Sequence, residues 1–170
     1  PLPDSYRTTG LYSAELVKGA TSTLYGSNAI AGALDLTSFY RPDRSRFTRI
    51  ELSGGSFQTL GGAVQHSRRV GEMIYAGWYD YQESGNQREN NEFFSRAGGF
   101  RVHADSLGLF EVFLTGKVNS FRFADPGPNY RPSLATGNIR RVGLTLGVDR
   151  RSERATLSAR LYSSYGEHSF

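Results

Sequence analysis

The most regular feature of the chain is a two-residue alternation of apolar and polar side chains in its C-terminal half. Residues 109–123 place apolar or small residues at every second position, namely Phe110, Val112, Leu114, Gly116 and Val118. The intervening positions carry mostly polar residues, with Phe113 among Glu111, Thr115, Lys117 and Asn119. Because successive side chains of a strand point to opposite faces, this pattern predicts a strand with one apolar and one polar face. Residues 142–149 and 155–161 repeat it.

Weaker alternation predicts four earlier strands, which brings the expected number to seven. Their expected bounds are Arg46–Ser53, Phe57–Arg68, Met73–Ser84 and Phe93–Asp105. Short polar connections are expected near residues 70–72, 105–108 and 151–153, and longer ones at Gly85–Glu92 and Ala124–Ile139. The Ser53–Phe57 link is short where this rhythm predicts a longer loop. Alternating short and long connections are typical of an up-and-down outer-membrane barrel.

Two architectures fit this alternation. A soluble β-sandwich also has one buried and one solvated face per strand. Strand lengths near ~9–11 residues and the loop rhythm favour a membrane barrel. In that case one face would meet lipid, the face with Phe110, Val112, Leu114, Val118, Val142, Leu144, Leu146, Val148, Leu157 and Leu161. The opposite face would line the lumen, with Arg49, Glu51, Arg101, Glu111, Lys117, Asp149 and Arg160.

Composition narrows the function classes. Hydrophobic residues make up 38% of the 170 residues, and we find no apolar run near the ~20 residues of a membrane helix. The net charge is +4, but the basic residues are dispersed and form no stacking platform, so we expect no nucleic-acid partner. The chain has no cysteine, which excludes disulfides and thiolate metal sites. No signal peptide opens the chain, so we expect the native N-terminus to lie upstream or to have been removed.

No catalytic or cofactor motif is visible. The three histidines, His66, His103 and His168, are far apart and show no metal-ligand spacing. The sequence contains no nucleophile elbow and no phosphate loop. We therefore expect neither an enzyme nor a bound cofactor or metal.

The N-terminal region differs from the strand-rich remainder, and the joint is predicted at Arg41–Ser45, where proline and charge coincide. Before it, residues 15–18 predict a short strand that ends at Gly19, where a tight turn tolerates positive φ. One helical turn is expected at 21–25, with Gly26 as its C-cap. A run of small residues, 29–33, then leads into a second short strand.

Residues 13–37 resemble the closing segment of the plug domain in TonB-dependent outer-membrane receptors. The matching positions are Glu15, Lys18, Gly19, Ser22, Tyr25, Gly26, Ala29 and Gly32. The chain departs from the family pattern at Lys18, where arginine is usual, and at Ala20, Ala31 and Asp35. Lysine keeps the charge of arginine but lacks its planar fork, so any bidentate ion pair of the family at that position is in doubt here.

The resemblance implies an all-β fragment of a larger receptor. Residues 1–40 would be the end of a small α+β plug domain, and residues 41–170 the first ~7 strands of an incomplete transmembrane antiparallel barrel. Such barrels have about 22 strands around a plugged lumen. The implied location is the bacterial outer membrane, with membrane lipid and TonB as partners, TonB acting through an N-terminal region absent from this chain. The implied ligand is scarce: a ferric siderophore, haem, cobalamin or a glycan.

The expected Ala124–Ile139 loop is the best candidate for a ligand-facing element. Within it, Tyr130 and Arg131 carry the side chains best suited to contact cargo, although a solvated surface loop would look the same. Two other functions stay open. One is a small outer-membrane barrel with a structural or adhesive role, and the other is a soluble ligand-binding β-sandwich.

Overall fold

In the computed structural model most of the described residues lie in β-strands, as the alternation predicts. The structure describes residues 8–19, 32–85, 89–128, 130–131, 133–152 and 155–169. A 3₁₀ helix, Thr8–Gly10, precedes an antiparallel hairpin of β1 (Leu11–Lys18) and β2 (Gly32–Ser38). No helix in these ranges is long and apolar enough to cross a membrane.

The remaining strands form one antiparallel sheet in which each strand pairs with its neighbours in the sequence. The seven predicted strands are confirmed, with bounds β3 Arg46–Gly55, β4 Thr59–Val70, β5 Met73–Ser84, β6 Phe93–Leu107, β7 Phe110–Asp125, β8 Ala135–Arg151 and β9 Thr156–Ser169. Four of them have 14 or more residues. They are much longer than the ~5–6 residues usual in soluble sheets.

The connections define two ends of the sheet. At the short-turn end, β4–β5 and β6–β7 are joined by two-residue turns that contain Gly71 and Gly108, both with positive φ. At the opposite, long-loop end, β5–β6 and β7–β8 are joined through residues 85–92 and 126–134. The expected loop at 124–139 is shorter in the structure because Ala124 and Asp125 pair with β8.

The tight connection near residue 55 also differs from its expected position. Gly54 and Gly55 continue β3 by pairing with β4, so β4 begins at Thr59 rather than Phe57. The turn falls on 56–58, where Phe57 and Gln58 have φ of 58° and 54°. Residues other than glycine, asparagine and aspartate rarely adopt this left-handed backbone conformation. Phe57 and Gln58 are not typical turn residues, so they gave no sequence signal for a turn at this position.

Strand register separates the two predicted faces completely. The cross-strand pairs place all the predicted lumen residues on one face, for example Arg101 opposite Thr115 and Glu111 opposite Asp149. The predicted lipid residues all lie on the other face, for example Leu114 opposite Leu146. We call these the inner and the outer face. The 3₁₀ helix and residues 39–40 pack against the inner face.

Large rings on the inner face pack over glycines of the next strand. A Cβ on Gly147 would lie 2.3 Å from the Phe113 ring, and one on Gly99 would lie 2.3 Å from the Trp78 ring. Phe123 covers Gly137 in the same way. These glycines therefore provide the space that lets bulky rings lie flat across the sheet.

Candidate functional site at the inner face

The inner face holds the N-terminal segment through both backbone and side-chain contacts. Gln65 Nε2 donates a 2.6 Å hydrogen bond to the carbonyl oxygen of Thr9. The amide of Phe39 donates a 2.9 Å bond to the carbonyl oxygen of Gly10. A Cβ on Gly10 would lie 2.6 Å from the indole nitrogen of Trp78, so only glycine allows this approach. The 3₁₀ helix and the segment after β2 are thus fixed to the same part of the sheet.

Phe39 is the centre of a small apolar core at this contact. Its side chain is 3% exposed and packs between Trp78 and Phe47, with ring centroids at 6.5 Å and 6.0 Å. Ala76 and Trp78, each 7% exposed, are the other buried members of the cluster. Burial of an aromatic side chain stabilises by about 1.5–3 kcal/mol, so this core contributes substantially to holding the segment in place.

Tyr40 extends the contact through a stack of rings and a guanidinium. The guanidinium carbon of Arg101 lies 4.2 Å from the ring centroids of both Tyr40 and Phe113. The Tyr40 ring also stacks on His103 at 5.3 Å. Burial raises the pKa of the Tyr40 hydroxyl, an effect that the positive charge of Arg101 opposes. The tyrosine therefore stays neutral at physiological pH as part of a cation–π sandwich.

Charged groups tie the linker after Tyr40 to the short-turn end. Arg69 pairs with the carboxylate of Asp105, and its Nη2 donates a 3.1 Å bond to the carbonyl oxygen of Pro42. Asp105 also accepts from His103 Nε2 at 2.9 Å. Within the linker, a hydrogen bond from Arg41 lowers the pKa of Asp43. We call residues 39–42, together with Arg69, Trp78, Arg101, His103 and Asp105, the junction cluster.

The rest of the inner face is polar and partly buried. Arg160 pairs with Asp149 at 2.8 Å and lies 4.9 Å from the Phe113 ring. The hydroxyls of Ser67, Ser95 and Thr115 are buried and have no hydrogen-bond partner among the described residues. Among the residues that the structure describes, no group of three histidines, cysteines or carboxylates could hold a metal ion. The inner face thus suits contact with polar protein or water.

Half of the predicted motif residues fall within the described part of the chain. Glu15 and Lys18 are exposed on β1, where they pair with Asp35 and Gly32 on β2. Gly19 ends β1 with φ of 110°. The other predicted residues, Ser22, Tyr25, Gly26 and Ala29, lie outside the described residues.

The two predicted ligand-facing residues lie in the loop that joins β7 to β8. Tyr130 is 89% exposed, and Arg131 is also exposed. The base of the loop is ordered, since Ser133 N donates to Pro126 O at 3.0 Å and Asn90 Nδ2 donates to Ser133 O at 2.9 Å. A structured base with an exposed aromatic tip suits recognition.

Sequence reasoning missed the junction cluster. Residues 39–42 lie 27 to 66 positions before the strand residues that they join. The alternation predicts which face each strand residue occupies, but it does not predict which residue will pack against it. The one local signal is the aromatic pair Phe39–Tyr40 directly before the predicted joint. Two adjacent rings at the end of a strand indicate that the chain is anchored there.

Comparison with known proteins gives one informative relative. The chain matches no protein-family model. A segment of 72 residues is 38% identical to a vitamin B12 transporter, BtuB, of the bacterium Photobacterium profundum. The match covers 41% of this chain and 11% of the transporter, so the chain spans only a small part of that protein's length.

Proposed function

We propose that this chain is part of a TonB-dependent receptor of the bacterial outer membrane. Residues 1–40 end its plug domain and residues 41–170 begin its barrel. The full receptor takes up a scarce ligand, and similarity to a vitamin B12 transporter makes cobalamin the first candidate. The observation that carries this proposal is the outer face of the sheet, whose apolar residues have no partner among the described parts of the chain.

The outer face supports contact with lipid by its dimensions. On β7 the apolar run extends from Phe110 to Val118. These eight steps of about 3.4 Å give about 27 Å along the strand. At a tilt of about 40° the run spans about 21 Å across the membrane, close to the ~25 Å apolar band of outer-membrane barrels.

The charged border of this band supports a tilted barrel wall. At the short-turn end the border is marked by Arg68 on β4 and by Arg150 on β8. The cross-strand pairs align Arg68 on β4 with Leu146 on β8, which is four strands away in the sheet. Leu146 lies four residues before Arg150. The border thus shifts by about one residue per strand. With strands about 4.8 Å apart, this shift corresponds to a tilt of about 35°, within the range of membrane barrels.

The sheet edges support a larger assembly of strands. Both β3 and β9 have a paired strand on one side only within the described residues. Unpaired backbone groups at such an edge cannot be satisfied in lipid. Further strands of the full-length receptor would supply the missing partners. The polar inner face, with the N-terminal segment packed on it, is then the wall that faces the plug.

Arginine substitution on the two faces of β8 tests the proposal. In the full-length receptor folded in lipid, Leu144→Arg should lower the free energy of unfolding by about 2–4 kcal/mol, the cost of a charge in the apolar band. Thr145→Arg, one residue away on the inner face, should cost less than about 1 kcal/mol. A cost below about 2 kcal/mol for Leu144→Arg would contradict lipid contact. So small a cost would indicate that this face lies in water rather than in lipid or in an apolar core.

A further inference from the structure

At the long-loop end, the side chain of Asn90 joins two connections of the sheet. Asn90 itself lies in the connection between β5 and β6. Its Nδ2 donates to the carbonyl oxygens of Asp125 and Ser133 at 3.0 Å and 2.9 Å, and lies 3.3 Å from the carbonyl oxygen of Ala135. Asp125 ends β7 and Ala135 begins β8. One amide therefore fixes both ends of the β7–β8 loop to the neighbouring connection.

The contact suits asparagine for two physical reasons. Converging carbonyl oxygens need a hydrogen-bond donor, and the amide of asparagine offers two N–H groups on a short side chain. Asn90 also has a φ of 54°, in the left-handed region that asparagine tolerates better than most residues. Aspartate would keep the size and the backbone conformation, but its carboxylate only accepts hydrogen bonds and would repel the carbonyls. The contact thus depends on the amide itself.

The β7–β8 loop that Asn90 holds is bonded internally. The amide of Ser133 donates to the carbonyl oxygen of Pro126 at 3.0 Å, and the amide of Arg131 donates to that of Pro128 at 2.9 Å. A Cβ on Gly127 would lie 2.7 Å from the carbonyl oxygen of Arg131, so the two arms of the loop are in close contact. Because of these bonds, the loop moves mainly as a unit about its base, and Asn90 is bonded to that base.

The connection that carries Asn90 is itself tied to its neighbours near both ends. At its start, the amide of Gly85 donates a 2.9 Å bond to the carbonyl oxygen of Phe57, in the turn between β3 and β4. At its end, the amide of Ala124 donates a 2.8 Å bond to the carbonyl oxygen of Glu92. The connection is therefore a support against which the β7–β8 loop is held.

We propose that Asn90 is a positioning residue for ligand binding, which holds the β7–β8 loop so that Tyr130 and Arg131 are presented in a fixed orientation. This inference rests on the proposed function, because it requires the ligand to contact this loop. A site that is already held in its binding conformation loses less conformational entropy when the ligand binds. Release of the loop should therefore weaken binding even though Tyr130 and Arg131 are still present.

Spin labelling of the loop tests whether Asn90 holds it. A nitroxide is attached to Leu134→Cys in the full-length receptor, at a side chain that is 87% exposed. Electron paramagnetic resonance should show a more mobile nitroxide in Asn90→Asp and in Asn90→Gly, which removes the amide but tolerates the positive φ. Asn91→Asp is the matched control, because its side chain has no hydrogen bond among the described residues, and it should leave the spectrum unchanged. Unchanged mobility in both Asn90 variants would overturn the proposal.

Cyanocobalamin binding to the full-length receptor tests whether the position of the loop matters for the ligand. Asn90→Asp should bind about threefold to tenfold more weakly than the parent, the effect of losing one or two hydrogen bonds, whereas Asn91→Asp should match the parent. Tyr130→Ala should weaken binding several-fold in the parent but less than about twofold in Asn90→Asp, since the tyrosine is then no longer held in place. Losses that multiply in the double variant, or equal affinity of Asn90→Asp and the parent, would overturn the proposal.

Failure of the proposed function gives a different result. A parent that folds but binds no cobalamin overturns the cobalamin candidate, and the mobility of the nitroxide then still decides whether Asn90 holds the loop.

Discussion

Arg101 lies between Tyr40 and Phe113, with its guanidinium carbon 4.2 Å from each ring centroid. This contact joins the segment that follows the N-terminal hairpin to two strands of the sheet. Because Arg101 is 7% exposed, the cation–π interaction is largely desolvated and therefore stronger than a surface pair. The interaction therefore anchors Tyr40, and with it the segment between β2 and β3, to the inner face of the sheet.

A double-mutant cycle measures this anchor. Tyr40→Leu and Arg101→Gln in the full-length protein should show a coupling of about 0.5–2 kcal/mol in the free energy of unfolding. The control pairs Tyr40→Leu with Arg150→Gln, since Arg150 contacts Phe110 on the outer face. That coupling should stay below about 0.5 kcal/mol. Equal couplings for the two pairs would refute a specific contact between Tyr40 and Arg101.

Glycines 143 and 147 offer a matched pair on the inner face of β8. Alanine at 147 would place its Cβ 2.3 Å from Phe113, whereas at 143 the nearest atom is 3.9 Å away. We expect Gly147→Ala to cost about 1–3 kcal/mol by displacing the ring. Gly143→Ala should be neutral or slightly stabilising, because alanine suits a strand better than glycine. Thermal or denaturant unfolding in lipid checks both variants, and a Gly147→Ala protein as stable as Gly143→Ala would contradict the packing.

The loop residues make a separate prediction about ligand uptake. Tyr130→Ala and Arg131→Ala should reduce cobalamin binding several-fold with no change in stability, because both side chains are exposed and support no packing. Leu134→Ala is the control in the same loop, since Leu134 is 87% exposed and its apolar side chain offers no hydrogen bond. Binding of labelled cobalamin to the full-length receptor is the measurement. Unchanged binding in both variants would remove this loop from the ligand site.

Alternation in the sequence was sufficient to predict the seven strands and the face of each residue. The reason is physical. Successive side chains of a strand point to opposite faces, so assigning one residue to a face assigns all the others, as for the neighbours Leu144 and Thr145. The ends of the strands were less predictable. Proline and polar residues at 124–139 suggested a long loop, but pairing with β8 extends β7 to Asp125.

The candidate site was predicted only in part. The glycine turn after Lys18 follows from local chemistry, and Gly19 has the positive φ expected of it. The cluster around Arg101 depends on tertiary contacts between Tyr40 and strands β6 and β7, which no local pattern encodes.

Single-cysteine labelling on β8 tests most directly whether the outer face of the sheet lies in lipid. These 170 residues contain no native cysteine that would also react. Leu144→Cys and Thr145→Cys variants of the full-length receptor, folded in lipid, are treated with a charged thiol reagent that reacts only from water. If the outer face meets lipid, the cysteine at position 144 is protected and the cysteine at position 145 is labelled. Labelling at 144 with protection at 145 would reverse the faces, and equal labelling of both positions would contradict a membrane-spanning strand.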